Sequence, residues 1–356
     1  ESRVDSIEIY CKNTEQTVRV PVGATLEAIY EAAGRPLRYP PLGARVNKRV
    51  EGLTYRCWNP KDVEFVDYTH PSGYRIYLRS LCFILVKAVY DLYPSRPFSL
   101  EHPVSKGLYC AFEHREPMTE DDVRRIKQRM QEIIGEDRPF VRYVVRTEDA
   151  LATFRERGMN DRALLIETAG MAYTTYYGLN GYIDYFYGCL TPSSGRIPLF
   201  DLIPYADGVL LQLPQREDPT RLYPLVPQQK MFNAYKQHLQ LQRTVGVNYV
   251  GDLNRAVSEG HARDIIMVSE AMQEKQIAQI ADDIARRYRE DGVRIVLISG
   301  PSSSGKTTFC KRLQVQLVTN RHGGQGRHDP PPGHLPRRLL RQPRGHPPRR
   351  RRRLRL

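Results

Sequence analysis

Long hydrophobic runs are absent from this 356-residue sequence, in which no eighteen consecutive residues are apolar. A helix that crosses a bilayer needs about 20 such residues, so the sequence predicts no membrane span. Residues 1–30 also lack the charged and then apolar pattern of a secretory signal. With 40% hydrophobic and 9% aromatic residues, the composition is typical of a globular protein. We therefore expect a cytoplasmic protein that does not bind membranes.

Cysteine is scarce as well, and the six cysteines contain no C-x-x-C pair. They are Cys11, Cys57, Cys82, Cys110, Cys189 and Cys310. This wide spacing argues against a disulfide framework and favours free thiols in a reducing compartment. His102, Cys110 and His114 could surround a metal ion, but the sequence near them offers no tight ligand pair and no fourth partner. We interpret them as structural residues.

Acidic residues are almost missing from the C-terminal segment. Residues 321–356 contain twelve Arg, seven Pro and one Asp, which leaves 42 basic and 39 acidic residues in the remainder. The net charge of +14 therefore belongs mainly to this tail, which has too few apolar residues to form a core and is predicted to be disordered. One interpretation is a polybasic arm for nucleic acid or anionic lipid. We favour another, that GC-rich DNA is read out of frame here, because Arg, Pro, Gly and His then dominate.

The most specific motif begins at Gly300, where the sequence fits G-x-x-x-x-G-K-[ST]. The backbone N–H groups of such a turn, together with the helix that follows, hold phosphate oxygens. Lys306 is predicted to reach the β- and γ-phosphates of ATP or GTP, which makes it the candidate catalytic residue. The Thr307 hydroxyl is predicted to ligate Mg²⁺. The predicted nucleotide-binding residues are Gly300, Ser302, Ser303, Ser304, Gly305, Lys306, Thr307 and Thr308.

The sequence on both sides of the motif favours a phosphate-binding loop. Residues 294–299, RIVLIS, form an apolar β-branched run that is typical of a buried parallel strand. Phe309, Leu313 and Leu317 follow at intervals of four residues, which predicts one face of a helix. The alternative is a loop rich in serine and glycine that binds nothing.

The rest of the chain reads as a series of α+β segments. Alternating strands are predicted in SIEIYC and TVRVPV, further strands in ARVNKRVE and DVEFVDY, and strand-like segments in FVRYVV, YIDYFYGC and GVLLQLP. Short helices are predicted after Thr25, from Ile76 to Tyr93, and from Thr119 to Gly135, where T-E-D-D forms a capping box. Residues 227–290 are helical in pattern. Their apolar stripe, which predicts a core or an interface, consists of Ile266, Ala271, Ile277, Ile280 and Ile284.

Several of these segments resemble known modules. VPVGATLEAIY and ARVNKRVEGL resemble the TGS module, a ubiquitin-like β-grasp, and FILVKAVYDLYP and KGLYCAF resemble the additional domain that follows TGS in threonyl- and alanyl-tRNA synthetases. The order of modules, with EHPVSKG, RMQEII, ERGMND and ISGPSSSGKTTF, resembles bacterial nucleoside (uridine) kinases with a kinase domain of the uridine kinase and phosphoribulokinase type.

The resemblance implies a multidomain α+β protein with five segments. They are a TGS-like β-grasp domain (5–67), a domain like the synthetase additional domain (70–226), a helical connector (227–290), the start of an α/β P-loop kinase domain (293–320) and the disordered basic tail (321–356).

One departure from the synthetases bears on function. Their editing domains place two histidines four residues apart on one helix, and a Cys and a His four apart later in the chain. The resemblance aligns Arg79 and Phe83 with the first pair, and Cys189 and Ser193 with the second. A lone cysteine cannot hold the metal, so this domain is predicted to be structural or regulatory rather than a tRNA deacylase.

The function implied by the resemblance is transfer of the γ-phosphoryl of ATP or GTP to the 5′-hydroxyl of a nucleoside, with uridine as the expected substrate. The acidic motif that the kinases carry next is absent after Asn320, so this chain is predicted to be catalytically incomplete. Two alternatives stay open. One is an RNA-associated binding module formed by residues 1–226, and the other is a regulator that binds nucleotide without transferring phosphate.

Overall fold

The computed structural model describes residues 5–113 and 117–320. These residues form two compact units, of which the first ends at Arg255 and the second begins at Ala256. The predicted tail (321–356) and His114 lie outside the described residues, so the expectations about them stay predictions. In the described ranges, no helix is both long and apolar enough to cross a membrane.

The first unit opens with a five-stranded sheet and one short helix. Its elements are β1 (Ser6–Cys11), β2 (Gln16–Pro21), β3 (Ala24–Thr25), α1 (Leu26–Ala32), β4 (Gly43–Val46), β5 (Arg49–Gly52), β6 (Arg56–Cys57) and β7 (Lys61–Val66). The strand order is β2-β1-β7-β4-β5, so β5 is an edge strand, and β1 and β7 run parallel at the centre. The predicted strands are confirmed, because Ile7, Ile9 and Cys11 alternate into the core as period-two patterning requires. Thr25 starts α1 as expected, since its side chain accepts a hydrogen bond from the Ala28 N–H at 3.2 Å.

Helix α2, Pro71–Leu92, forms the centre of the following region. It begins five residues earlier than predicted because Pro71 stands in its first turn and His70 Nδ1 accepts a hydrogen bond from the Ser72 N–H at 3.1 Å. Residues 80–89 are buried on every side of the helix, which places it between two sheets.

The elements that surround α2 complete most of the first unit. They are β8 (Phe98–Val104), β9 (Gly107–Phe112), α3 (Glu120–Gly135), β10 (Val141–Arg146), α4 (Thr147–Glu156), α5 (Asn160–Thr168), β11 (Tyr173–Leu179), β12 (Tyr182–Asp184), a short 3₁₀ turn (Ser194–Arg196), β13 (Asp201–Tyr205) and β14 (Gly208–Gln212). One sheet has the order β13-β14-β9-β8 and the other β10-β11-β12, so β10 is an edge strand. The capping box of α3 is present as predicted, with Thr119 and Asp122 bonded reciprocally.

The strand predicted over residues 182–189 ends at Asp184 instead. The buried Asp184 carboxylate accepts hydrogen bonds from Arg162 Nε at 3.1 Å and from the Tyr185 N–H at 2.7 Å. A side chain that bonds the next backbone N–H competes with the strand ladder, so the chain leaves the sheet here.

Helices follow the sheets, as the pattern of residues 227–290 predicted. They are α6 (Gln229–Val245), α7 (Val250–Ser258) and α8 (Ala262–Glu290). In the first unit, α6 packs against the four-stranded sheet through Phe232, which is buried with Tyr109 and Leu210.

The second unit is a pair of packed helices, α8 and α9 (Lys306–Thr319). The face predicted for α9 is confirmed, because Leu313 is buried and Phe309 and Leu317 flank it. The predicted stripe on α8 is only partly right. Ile277 and Ile284 face α9 together with Ala281, whereas Ile266, Ala271 and Ile280 are exposed, because α9 covers a narrower face of α8 than the stripe spans.

The strand predicted over residues 294–299 does not form. Ile295 and Leu297 are 72% and 87% exposed, and no other strand lies in the described part of the second unit. A strand needs a partner for its N–H and C=O groups, so an isolated run stays irregular however apolar it is. The prediction of a buried strand at the start of an α/β domain is therefore wrong for these residues.

Candidate functional sites

The predicted phosphate-binding residues form one continuous turn at the start of α9. Gly305 is the N-cap of the helix, with φ of 76°, and Ser303 has φ of 60°, so two left-handed residues fold the loop back on itself. The two ends of the turn lie close together, since a Cβ on Gly300 would be 2.8 Å from Ser304 Oγ. The loop is exposed from Gly300 to Gly305.

Lys306 is folded over this loop rather than extended into solvent. Its Nζ donates to the carbonyl oxygen of Gly300 at 2.8 Å and also to that of Pro301. Thr307 and Thr308, which are part of the same first turn, are exposed beside it. The ammonium group thus lies next to the helix N-terminus, where the backbone N–H groups carry partial positive charge. The structure brings all the predicted loop residues together but provides no strand beneath them.

A second site lies in the first unit, at the positions aligned with the editing residues of synthetases. The half-buried Arg79, on α2, donates from its Nη1 to the carbonyl oxygen of Cys189 at 2.9 Å. Gly188 makes this approach possible, because a Cβ on its backbone, at φ of +108°, would lie 2.6 Å from the same Nη1. The Arg79 guanidinium is therefore held flat against the chain before Cys189.

The other two aligned positions do not join Arg79 and Cys189. Phe83 is in the core against Phe140 and Tyr182, and the Ser193 hydroxyl donates to Asp137 Oδ1 at 2.5 Å. No group of three or more His, Cys, Asp or Glu side chains suited to a metal ion lies within the described ranges. Burial raises the pKa of Cys189, against the charge of Arg79, so the thiol stays protonated. This arrangement can hold an anion, but these residues are not a metal-ligand set.

Further charged residues reach this region from two edge strands. On β10, Arg142 is paired directly with Tyr177 of β11, so it projects to the face of the sheet that packs toward α2. On β5, Glu51 lies near Arg142 and Arg49, whose charges oppose the rise of its pKa that burial causes. Gly52, the next residue, approaches Cys189, since a Cβ on Gly52 would lie 3.3 Å from the Cys189 Cβ.

We call the region formed by Arg49, Glu51, Arg79, Arg142 and Cys189 the edge-strand cleft. A pocket of about 260 Å³ adjoins it, lined by Val46, Asn47, Arg49, Glu51, Tyr55 and Lys61. Sequence reasoning found Arg79 and Cys189 by resemblance but missed Arg49, Glu51 and Arg142. No local pattern marks these three residues, because β5 and β10 are far apart in the chain.

Comparison with known proteins finds similarity to aminoacyl-tRNA synthetases, while no family model matches the chain. The similar proteins are named threonine–tRNA ligase. The protein from Alkalilimnicola ehrlichii is 26% identical over 217 residues, which are 60% of this chain and 34% of the relative. The protein from Hyphomonas neptunium is 28% identical over 178 residues (49% and 27%), and that from Thermobifida fusca 34% identical over 151 residues (42% and 22%). The chain spans about a third or less of the length of these relatives.

These relatives correct the predicted function. A nucleoside kinase was expected from the order of modules, but the matched proteins are named threonine–tRNA ligase and indicate a synthetase-related function instead. The predicted enzyme class is therefore wrong, and uridine as substrate and GTP as donor are unsupported. The likeness to threonyl-tRNA synthetase, which the first two segments predicted, is confirmed.

Proposed function

We propose that the first unit is an RNA-associated binding module related to the TGS and additional domains of threonyl-tRNA synthetases. The observation that carries this proposal is the edge-strand cleft, where Arg79 is bonded to the Cys189 carbonyl at a position that the resemblance gives to a histidine. Arginine binds phosphate through its planar fork of N–H donors. The strand order β2-β1-β7-β4-β5 supports the predicted β-grasp over residues 5–67.

Binding rather than hydrolysis fits the chemistry of the cleft. The thiol of Cys189 is protonated, and Phe83 and Ser193 are engaged elsewhere. Residues 1–320 carry 42 basic and 39 acidic side chains, so the attraction for RNA is local to the cleft rather than spread over the surface. We propose a cytoplasmic location and modest, salt-dependent affinity.

Fluorescence anisotropy with labelled tRNA over a series of salt concentrations tests the module. Because the basic tail would bind RNA by itself, the full chain is measured beside a chain that ends at Asn320. We expect Arg142→Gln to weaken binding and to lower the salt slope by about one. The matched control is Arg146→Gln, four residues away on β10 and paired with Tyr173. If the chain ending at Asn320 binds no RNA, or both variants bind alike, the proposal is refuted.

A second proposal concerns the loop of the second unit, which we infer binds the phosphates of ATP with Mg²⁺. The left-handed Ser303 and Gly305 and the exposed first turn of α9 support it. Residues 300–308 would hold the phosphates, with Lys306 exchanging its carbonyl partners for the β- and γ-phosphates and Thr307 ligating Mg²⁺. Lys306 acts here as a binding residue, without phosphoryl transfer.

Calorimetric titration with ATP and Mg²⁺ tests this loop. Lys306→Ala should abolish ATP binding, whereas Lys311→Ala, on the exposed side of the same helix, should leave it unchanged. Equal ATP affinity in the original chain and in Lys306→Ala would show that the loop does not bind nucleotide in this way.

A further inference from the structure

The edge-strand cleft contains three arginines and one carboxylate, with Arg49 and Arg142 near Glu51 and Arg79 at Cys189. Arg49 and Glu51 come from the edge of one sheet, Arg142 from the edge of another, and Arg79 from α2 between them. The side chains are brought together at fixed points, since Arg79 is bonded to the Cys189 carbonyl, Gly52 packs on Cys189, and Arg142 is paired with Tyr177. Two sheets and a helix thus position the cluster.

Charge within the cluster is not balanced. Arg79 donates to the uncharged carbonyl oxygen of Cys189, and Arg142 is paired across the sheet with Tyr177. Glu51 is the carboxylate that lies near Arg49 and Arg142. Three guanidinium groups against one carboxylate leave an excess of about two positive charges, which repels a metal cation and attracts an anion.

We propose that the edge-strand cleft binds a phosphomonoester dianion, the group found at a phosphorylated RNA end and on a free nucleotide. A dianion balances the excess charge, and the planar forks of Arg79 and Arg142 match a phosphate held by two bidentate contacts. This inference rests on the proposed RNA association of the first unit and specifies the group that its cleft takes.

The adjoining pocket limits what carries the phosphate. Its volume of about 260 Å³ is below the usual range of about 300–1,000 Å³ for drug-sized ligands. The pocket shares Arg49 and Glu51 with the cluster and adds Lys61, Tyr55 and Asn47 as polar groups. It therefore accommodates the one sugar that bears the phosphate, while the remainder of the ligand stays outside.

The test is isothermal titration at low salt with the full chain. The chain carries Lys306→Ala, so that the loop at the start of α9 does not contribute to binding. The probes are inorganic phosphate, adenosine 5′-monophosphate, and two short RNAs that differ only in a 5′-phosphate or a 5′-hydroxyl. We expect the phosphorylated RNA to bind at least about tenfold more tightly than its hydroxyl counterpart, as charge-assisted hydrogen bonds provide. Tighter binding of the RNA end than of the mononucleotide would identify RNA as the source, and equal binding would identify the free nucleotide.

Substitutions assign the effect to the cleft. Arg142→Gln should remove the preference for phosphate, whereas Arg146→Gln on the same strand should retain it. Below pH 6 the preference should shrink, because the phosphate then carries one charge less. Salt-dependent RNA binding with no preference for a phosphorylated end would overturn this inference and leave the proposed function standing. Loss of all RNA binding, in the chain that ends at Asn320, would overturn both.

Discussion

Replacing Gly188 by alanine should separate Arg79 from the backbone that it contacts. Gly188 has φ of +108°, where an L side chain is strained, and its Cβ would lie 2.6 Å from Arg79 Nη1 and 2.7 Å from Arg79 Cζ. The guanidinium must move away and lose its 2.9 Å hydrogen bond to the Cys189 carbonyl. The substitution therefore combines a backbone cost with the loss of a charge-assisted hydrogen bond.

The magnitude follows from these two contributions. Strain at such a backbone position costs about 1–3 kcal/mol, and a hydrogen bond to a charged group contributes about 1.5–3 kcal/mol. Arg79 is only half-buried, so water replaces part of that bond, and we expect a total loss of about 3 kcal/mol in the free energy of unfolding. Gly181→Ala is the control, because Gly181 also has positive φ, +78°, but has no atom within 4 Å of its Cβ. It should cost about 1 kcal/mol.

Urea denaturation followed by the fluorescence of Trp58, the single tryptophan and a residue of the first unit, measures both changes. A double-mutant cycle with Arg79→Ala isolates the contact, and Gly188→Ala should then cost at least about 1 kcal/mol less than it does alone. If Gly188→Ala is no more destabilising than Gly181→Ala, Arg79 does not lie against this backbone and the description of the cleft is wrong.

Three further outcomes follow from other parts of the chain. His102 is buried, and neither of its ring nitrogens has a hydrogen-bond partner among the described residues. Burial lowers the pKa of His102, so the unfolded chain binds the proton more readily than the folded chain does. The free energy of unfolding should therefore be full above about pH 6.5 and fall as the pH drops below it. A pH series of urea midpoints tests this, and His102→Phe should flatten it; an unchanged pH dependence contradicts the assignment. Leu313→Ala should destabilise the α8–α9 pair by about 2–3 kcal/mol, measured by helical circular dichroism on heating, whereas Val315→Ala, at a 62% exposed position, should change stability by less than about 0.5 kcal/mol. Thr119→Ala removes the hydrogen bond to the Asp122 N–H and should lower the denaturation midpoint by an amount that corresponds to about 1 kcal/mol; a loss below about 0.3 kcal/mol would mean that the cap is dispensable.

Local sequence signals were sufficient for much of the secondary structure. Alternation predicted β1 and β2, the T-E-D-D pattern predicted the start of α3, and the interval of four residues predicted the buried face of α9. These signals succeed because hydrogen bonds and side-chain neighbours within one turn or one strand depend on residues close in the chain.

The same local reasoning was wrong where a partner decides the outcome. Residues 294–299 have the composition of a buried strand, yet they are irregular because the described part of the second unit offers them no neighbouring strand. The order of modules suggested a kinase, whereas the similar proteins are named threonine–tRNA ligase. Sequence motifs therefore predicted the local structure of a segment more reliably than they predicted the function of the chain.

The sequence by itself determined the first two strands, the capped starts of α1 and α3, the turn from Gly300 to Lys306, and the absence of three of the four ligands of a synthetase editing site. Only the tertiary structure decided that Arg49 and Arg142 meet at Glu51 and that Arg79 lies at the neighbouring Cys189. The physical reason is that helix caps and strand alternation are set by neighbours along the chain. The charge of a cleft, in contrast, is the sum over residues that sheet edges and helix packing bring together from distant positions.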